Sequence, residues 1–377
     1  MHIGDHAIRK AEAPALIVAD DRTTSYGELY ARSQRVAGLL YDAGLRRGDG
    51  VALVLPNRAE FLEITWGCQL SGLYYSAINT HFTSDEVAYV IDDSDAKAVL
   101  VDAGDDVLIR IGADVRAYEH AISAAGDAPP ISDGSEMLYS SGTTGRPKAV
   151  RRPLPEDGNG SWAQKVLEYT LTHRYDMTES SVYLSPAPLY HAAGVNYTMA
   201  VQRVGAAAIT MPKFDAETVL RLIETHRVTH AQFVPTMFVR MLKLPDAVRK
   251  SYDVSSLECV IHAAAPCPLD VKHRMMDWFG PIIHEYYGGQ RDSPARRSTP
   301  QSGSPTPDRS ASRSPWCMSS ARTGPSLPSA SRGSSTSRAD LNSSTSRIRR
   351  RPRRWPTTKG GDRLGTWATS TRTGICI

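Results

Sequence analysis

Apolar positions along residues 1–289 recur with two periods, one helical and one strand-like, in alternation. From Tyr26 onward Leu29, Val36, Leu39 and Leu40 fall at helical spacing through Tyr41. Ser25 stands three residues before Glu28, the spacing at which a hydroxyl and a carboxylate cap each other's backbone N–H, so the helix is predicted to start there. Residues 51–55 (VALVL) are a continuous apolar run closed by Pro56-Asn57, which predicts a buried strand ending in a turn. Thr83-Ser-Asp-Glu86 predicts a second capped helix with acidic residues in its first turn. Residues 98–101, 207–211, 228–234 and 259–262 read as strands, and 216–224 as an amphipathic helix. The alternation predicts an α/β fold of helix-covered β-sheets, with no internal repeat. From Gln290 the periodicity stops, and no apolar face survives to residue 377.

Composition sharpens that boundary. Of the last 88 residues, 35 are Ser or Arg. This segment holds sixteen Arg and one Lys against four Asp and no Glu, a charge of +13, which leaves −9 for the rest of a chain whose net charge is +4. The body is thus mildly acidic, and the tail has the composition of a disordered segment. With 377 residues, 41% of them hydrophobic, the chain can form one large core or two medium ones. There is no apolar run of membrane-spanning length and no charged-then-apolar leader, so a cytoplasmic protein is expected. The five cysteines form no C-x-x-C pair and no metal-ligand spacing, which predicts free thiols.

The chemistry concentrates in YSSGTTGRPK at 139–148, entered from strand-like residues 137–139. Small hydroxyl residues and two glycines let backbone N–H groups approach an anion closely, and Lys148 adds a mobile positive charge. The string suits a polyphosphate. It is not a Walker A loop, because Pro147 precedes the lysine where that motif needs glycine.

This string resembles the phosphate-binding signature of the adenylate-forming enzymes, a superfamily of acyl-CoA synthetases, aryl-CoA ligases, luciferases and peptide-synthetase adenylation domains. Ala149 replaces the family's usual glycine after the lysine. The resemblance implies that Ser140, Ser141, Gly142, Thr143, Thr144, Gly145 and Lys148 hold the phosphates of ATP, with Thr144 also at Mg²⁺. Further segments follow in the family's order. PLYHAAG at 188–194 resembles the segment whose histidine, here His191, lies beside the acyl pocket; a structural histidine is the alternative. FVPTM at 233–237 resembles a pocket-lining strand and turn. HAAAP at 262–266 resembles the seat of adenine, with Ala264, Ala265 and Pro266 against the base, or else a tight packing site of small residues. YYGG at 286–289 resembles the start of Y-G-x-T-E, which implies that Tyr287 stacks on adenine with Gly288 beside it; a core tyrosine is the alternative. The resemblance spans about residues 10–289.

The family continues Y-G-G with Thr-Glu-Gly, whose Glu helps hold Mg²⁺, whereas this chain has Gln290-Arg-Asp. Residues 289–292 can be encoded GGA-CAG-AGG-GAT, which read one frame over contains ACA-GAG-GGA, or Thr-Glu-Gly. Residues 301–311 in the same frame can read EWLAHPGSVG, and 365–377 DVGYLDEDGYLH. Both match later family landmarks in order. The tail therefore reads as out-of-frame translation of a GC-rich gene rather than a nucleic-acid-binding arm. Two domains are expected: an incomplete AMP-binding N-terminal domain over 1–289 and the disordered tail over 290–377.

The resemblance implies an AMP-forming acyl-CoA synthetase. It would join a small carboxylic acid, with an aliphatic acyl group preferred, to CoA at the expense of ATP and with Mg²⁺. Lys148 and His191 would be its catalytic residues. Turnover by this chain is expected to be impaired. The alternatives are an acid of aryl or amino-acid type, or a non-catalytic nucleotide- or acyl-binding remnant.

Overall fold

The computed structural model describes residues 2–140, 147–155, 162–287 and 317–319. These all lie in one compact unit of the chain. The expected boundary at 289, and the tail beyond it apart from 317–319, fall outside the described residues.

Two mostly parallel sheets carry the fold. The order in the larger is Cys317–Ser319, Ile283–Tyr287, Cys259–His262, His230–Phe233, Val182–Ser185, Ala207–Thr210, Pro14–Val18 and Thr23–Ser25. Its first and last strands pair antiparallel and those between them parallel. The smaller sheet runs Asp114–Ala117, Val107–Ile111, Ala96–Asp102, Gly50–Val54, Tyr74–Ala77 and Ser135–Glu136, parallel from Ala96–Asp102 to Ser135–Glu136. Strands covered on both faces are apolar throughout rather than alternating, and Gly50–Val54 and Ala207–Thr210 are buried at every residue. That is why continuous runs, not period-two patterns, marked them in the sequence.

The capped helices form where expected. Ser25 caps Tyr26–Asp42, accepting from the Glu28 N–H at 3.2 Å. Thr83 and Glu86 cap each other at the start of Ser84–Asp93. Helix Ala59–Leu70 is buried on every side, with Glu60 alone partly accessible, and so shows no amphipathic stripe. Its Trp66 donates to Gln202 of helix Ala192–Val204 at 2.6 Å, and Tyr26 donates to the backbone of Gln202 and Ala206. One apolar cluster runs through these helices from Leu16 of the larger sheet to Leu53 and Leu100 of the smaller.

Asn57 ties the two sheets together. Its Nδ2 donates to the carbonyls of Ala187, at 3.0 Å, and Met211, at 2.9 Å; its Oδ1 accepts from the Leu189 N–H at 2.7 Å. Ala187 and Met211 each lie just beyond a strand of the larger sheet, and Asn57 just beyond Gly50–Val54. The residue that the sequence marks as a turn signal is thus a buried bracket holding the segment that leads into His191.

Residues 137–139 are not one strand, contrary to expectation. The parallel sheet ends at Glu136, and Tyr139–Ser140 pairs antiparallel with Lys148–Ala149. Between them the Met137 N–H donates to Tyr75 O at 2.8 Å and Ser76 Oγ donates to Met137 O at 3.0 Å. These two bonds hand the chain from the sheet to a hairpin. Similarly, FVPTM is no simple turn: the strand stops at Phe233 and helix Pro235–Leu242 begins at once, with Pro235 in the first turn, where its missing N–H leaves no bond unmade.

Candidate active site

A cavity of about 550 Å³ opens where the parallel strands of the larger sheet end. Chain segments leaving the carboxyl ends of parallel strands diverge and expose unpaired backbone groups, which makes this edge the usual place for ligands in α/β sheets. Four such segments build the wall here. Pro188 and His191 follow Val182–Ser185, Val234 and Met237 follow His230–Phe233, and Ala263 and Ala264 follow Cys259–His262. Tyr286 comes from the end of Ile283–Tyr287. The smaller sheet adds Ala77 and Glu136, and helix Trp162–Arg174 adds Leu167.

The fold brings several sequence-predicted residues to this cavity. Tyr139 and Val150, on either side of the hydroxyl-rich loop, line it. The hairpin sets Ser140 opposite Lys148 in register, and Lys148 is exposed. Ser141, Gly142, Thr143, Thr144 and Gly145 fall outside the described residues, as do Gly288 and the Tyr287 side chain. His191 caps helix Ala192–Val204 through its backbone, and its side chain makes no cap hydrogen bond. The ring is open to the cavity and tilted against Tyr190, with centroids 4.7 Å apart. Partial burial lowers its pKa, which favours the neutral imidazole. Gly194 has a packing reason: a Cβ there would stand 2.4 Å from Pro188 O, so the glycine lets the helix start close under the loop that carries His191.

Ala264 also lines the cavity, with φ of +76°, a left-handed conformation that an alanine adopts at a steric cost. Ala265 and Pro266 are exposed beside it but are not among the lining residues. Beneath this turn His262 is fully buried, in register with Glu285 of the next strand. Its Nε2 stands 3.9 Å from Glu285 Oε2, which pairs with Lys272 Nζ at 2.8 Å. Burial pushes the His262 pKa down to about 4, although Glu285 pulls the other way.

Several lining residues carry no motif and went unmarked in the sequence. Gln232 is the hub of a buried chain: Tyr183 donates to its Oε1 at 2.6 Å, and its Nε2 donates to the Tyr286 hydroxyl at 3.0 Å. Tyr286 stacks on Tyr197 with centroids 5.6 Å apart, and burial pushes its pKa up to about 12. Tyr286, the first tyrosine of YYGG, therefore belongs to the cavity wall, although the motif drew attention to Tyr287. Asn79, Glu136, Arg152, Gln164 and Asn196 complete the polar lining. The only available signal was polarity inside otherwise apolar segments, and that does not say which cavity a residue will reach.

Among the described residues Cys68, Cys259 and Cys267 are free thiols. No described helix is long and apolar enough to cross a membrane.

Known proteins resemble this chain in sequence and fold. Residues 4–289 match the family model of the AMP-binding enzymes. The long-chain-fatty-acid–CoA ligase FadD13 of Mycobacterium tuberculosis is 30% identical over 269 residues, covering 66% of this chain and 51% of its own length. The 2-succinylbenzoate–CoA ligase of Bacillus licheniformis is 27% identical over 278 residues, with 72% and 56% covered. A feruloyl-CoA synthase of Amycolatopsis is 31% identical over 263 residues, with 67% and 52% covered. The chain thus spans about half the length of these relatives. Among solved structures, o-succinylbenzoate CoA synthetase of Bacillus subtilis superposes with a TM-score of 0.64 at 24% identity, covering 76% of this chain and 58% of that one. The N-terminal domain of FACL13 from M. tuberculosis gives a TM-score of 0.64 at 23% identity, covering 76% and 74%. These two show the shared fold, the N-terminal domain of adenylate-forming enzymes. With its matched segment running through both sheets and every wall of the cavity, the chain belongs to the AMP-binding enzyme family.

Proposed function

We propose that residues 1–289 activate a carboxylic acid with ATP and pass the acyl group to CoA. The supporting observation is convergence: the flanks of the phosphate hairpin, His191 and Ala264 meet at one cavity. In the first half-reaction a carboxylate oxygen attacks the α-phosphorus of ATP, giving an acyl-adenylate and pyrophosphate. In the second, the CoA thiol attacks the acyl carbon and AMP leaves. The protein's part is chiefly positioning and charge neutralisation. Ser140 to Gly145 would wrap the phosphates with Lys148 as counter-charge, and Ala264, Ala265, Pro266, Tyr287 and Gly288 would hold the adenosine. His191, neutral at physiological pH, would face the acid being activated. The Mg²⁺ contact assigned to Thr144 falls outside the described residues.

The acid is of aliphatic, fatty type in this reading. An aryl acid is the second reading, favoured by the aromatic wall of Phe82, Tyr190, Tyr197, Phe233 and Tyr286. Because Gln290-Arg-Asp stands where a metal-holding glutamate is expected, the chain itself turns over poorly. The test is ATP–pyrophosphate exchange with paired panels of fatty and aryl acids, run on this chain and on a version with one base restored at codon 289. Exchange is expected in the restored version, reduced about 10²-fold or more by Lys148→Ala, as for loss of one preorganised charge-stabilising group. No exchange with any acid in the restored version would overturn the enzyme reading. Equal exchange in both versions would overturn the shifted-frame reading.

A further inference from the structure

The wall where the smaller sheet meets helix Trp162–Arg174 holds charge that neither half-reaction uses. Glu136 ends the edge strand Ser135–Glu136, and its side chain is only 11% exposed. Its Oε1 lies 3.6 Å from Arg152 Nη1, too far for a hydrogen bond, and its Oε2 is 3.4 Å from Ser135 Oγ, at the long limit of one. Both side chains line the cavity, together with Gln164. Gln164 is itself held in place, donating to Gln69 at 2.9 Å and accepting from Arg203 at 3.3 Å. The surrounding wall is apolar, from Ala77, Leu138 and Leu167.

A carboxyl group sunk among such neighbours is costly unless something satisfies it. Burial raises the Glu136 pKa against its own backbone N–H, Arg152, Ser135 and Arg203, so these partners compensate only in part. A plain hydrocarbon laid against this wall would strip water from both charged groups and return no bond. A hydroxyl on the cavity side of the pair would donate to the carboxyl oxygen and accept from the guanidinium, bridging the two.

We propose that Glu136 and Arg152 form a polar subsite of the acyl cavity that selects carboxylic acids bearing a hydroxyl group remote from the carboxylate to be activated. This rests on the reading of the cavity as an acyl pocket, and it narrows the substrate class within either the aliphatic or the aryl alternative.

The test is calorimetric binding, without ATP, of two matched pairs: octanoic against 8-hydroxyoctanoic acid, and cinnamic against 4-hydroxycinnamic acid. In the intact chain the hydroxy acid of at least one pair should bind about tenfold tighter, the worth of one hydrogen bond to a charged partner. Glu136→Leu should bring the members of that pair within about twofold of each other, and Glu136→Gln should keep part of the preference. If Glu136→Leu does not fold, Arg152→Met carries the same expectation, because that side chain is 35% exposed and tolerates replacement. Equal binding within both pairs, a preference that survives these substitutions, or no measurable binding of any acid at millimolar concentration would overturn the proposal. Preference in the intact chain without ATP–pyrophosphate exchange in the restored version would leave the subsite standing and count against adenylation; exchange in the restored version without preference would do the reverse.

Discussion

Replacing Asn57 tests whether the two sheets are joined as described. In Asn57→Leu all three side-chain hydrogen bonds, to Ala187 O, Met211 O and the Leu189 N–H, are lost. At about 1 kcal/mol net for each, the loss is about 3 kcal/mol. Asn57 is only 6% exposed, so water cannot readily replace it, and each orphaned backbone group adds on the order of 1 kcal/mol or more. Added apolar contact from the leucine returns roughly 1 kcal/mol. The expected destabilisation is therefore about 5 kcal/mol. Asn57→Asp makes the argument sharper because its shape is unchanged. It can still accept from the Leu189 N–H, but it sets an anionic oxygen against two carbonyl oxygens. Its cost at pH 7 should match or exceed that of the leucine variant and should shrink as pH falls, because a protonated carboxyl regains a donor. Urea unfolding at pH 7 and pH 5 measures both. A cost below about 1 kcal/mol for either variant at pH 7 would refute the bracket, since a real one cannot lose three buried bonds so cheaply. Because residues 187–189 lead into His191, the folded fraction of either variant should also bind acids more weakly.

Gln232→Met should cost about 3 kcal/mol by orphaning the Tyr183 hydroxyl, whereas adding Tyr183→Phe should recover about 1–2 kcal/mol in denaturant titrations; strictly additive costs would refute the chain. Ala264→Gly relieves about 1–2 kcal/mol of left-handed backbone strain and returns part of it as unfolded-chain entropy, so Tm should rise slightly, while Ala264→Val should lower it. The His262 pKa drops from 6.5 to about 4 on folding, so the neutral ring is the stable form. Its contribution is complete above pH 6.5 and is lost as pH falls through 4, by about 3 kcal/mol at that point. His262→Phe should flatten the stability profile across this window, and an unchanged slope would contradict the assignment.

What was legible in the sequence shares one physical property: it depends on near neighbours. Ser25 with Glu28 and Thr83 with Glu86 cap helices because hydroxyl and backbone N–H meet three residues apart, whatever the rest of the chain does. The runs at 51–55 and 259–262 read as strands because a parallel strand covered on both faces must be apolar throughout. FVPTM and HAAAP could be placed on strand ends for the same reason, since each begins at the end of such a run.

What only the tertiary structure decided depends on distant partners. Asn57 and Ala187 are 130 residues apart, and no local pattern tells a turn asparagine from a bracket between sheets. Gln232 looked like a polar interruption of the strand at 228–234, and Glu136 stood in no expected strand; strand order brought both to one cavity. Residues 137 and 138 fit a strand by propensity, yet the parallel ladder stops at Glu136 and Tyr139–Ser140 pairs instead with Lys148–Ala149. The left-handed turn at Ala264 runs against the steric preference of alanine, so no local rule predicts it. Short-range periodicity and capping are properties of the chain itself, whereas a cavity is a property of which segments the sheets bring side by side.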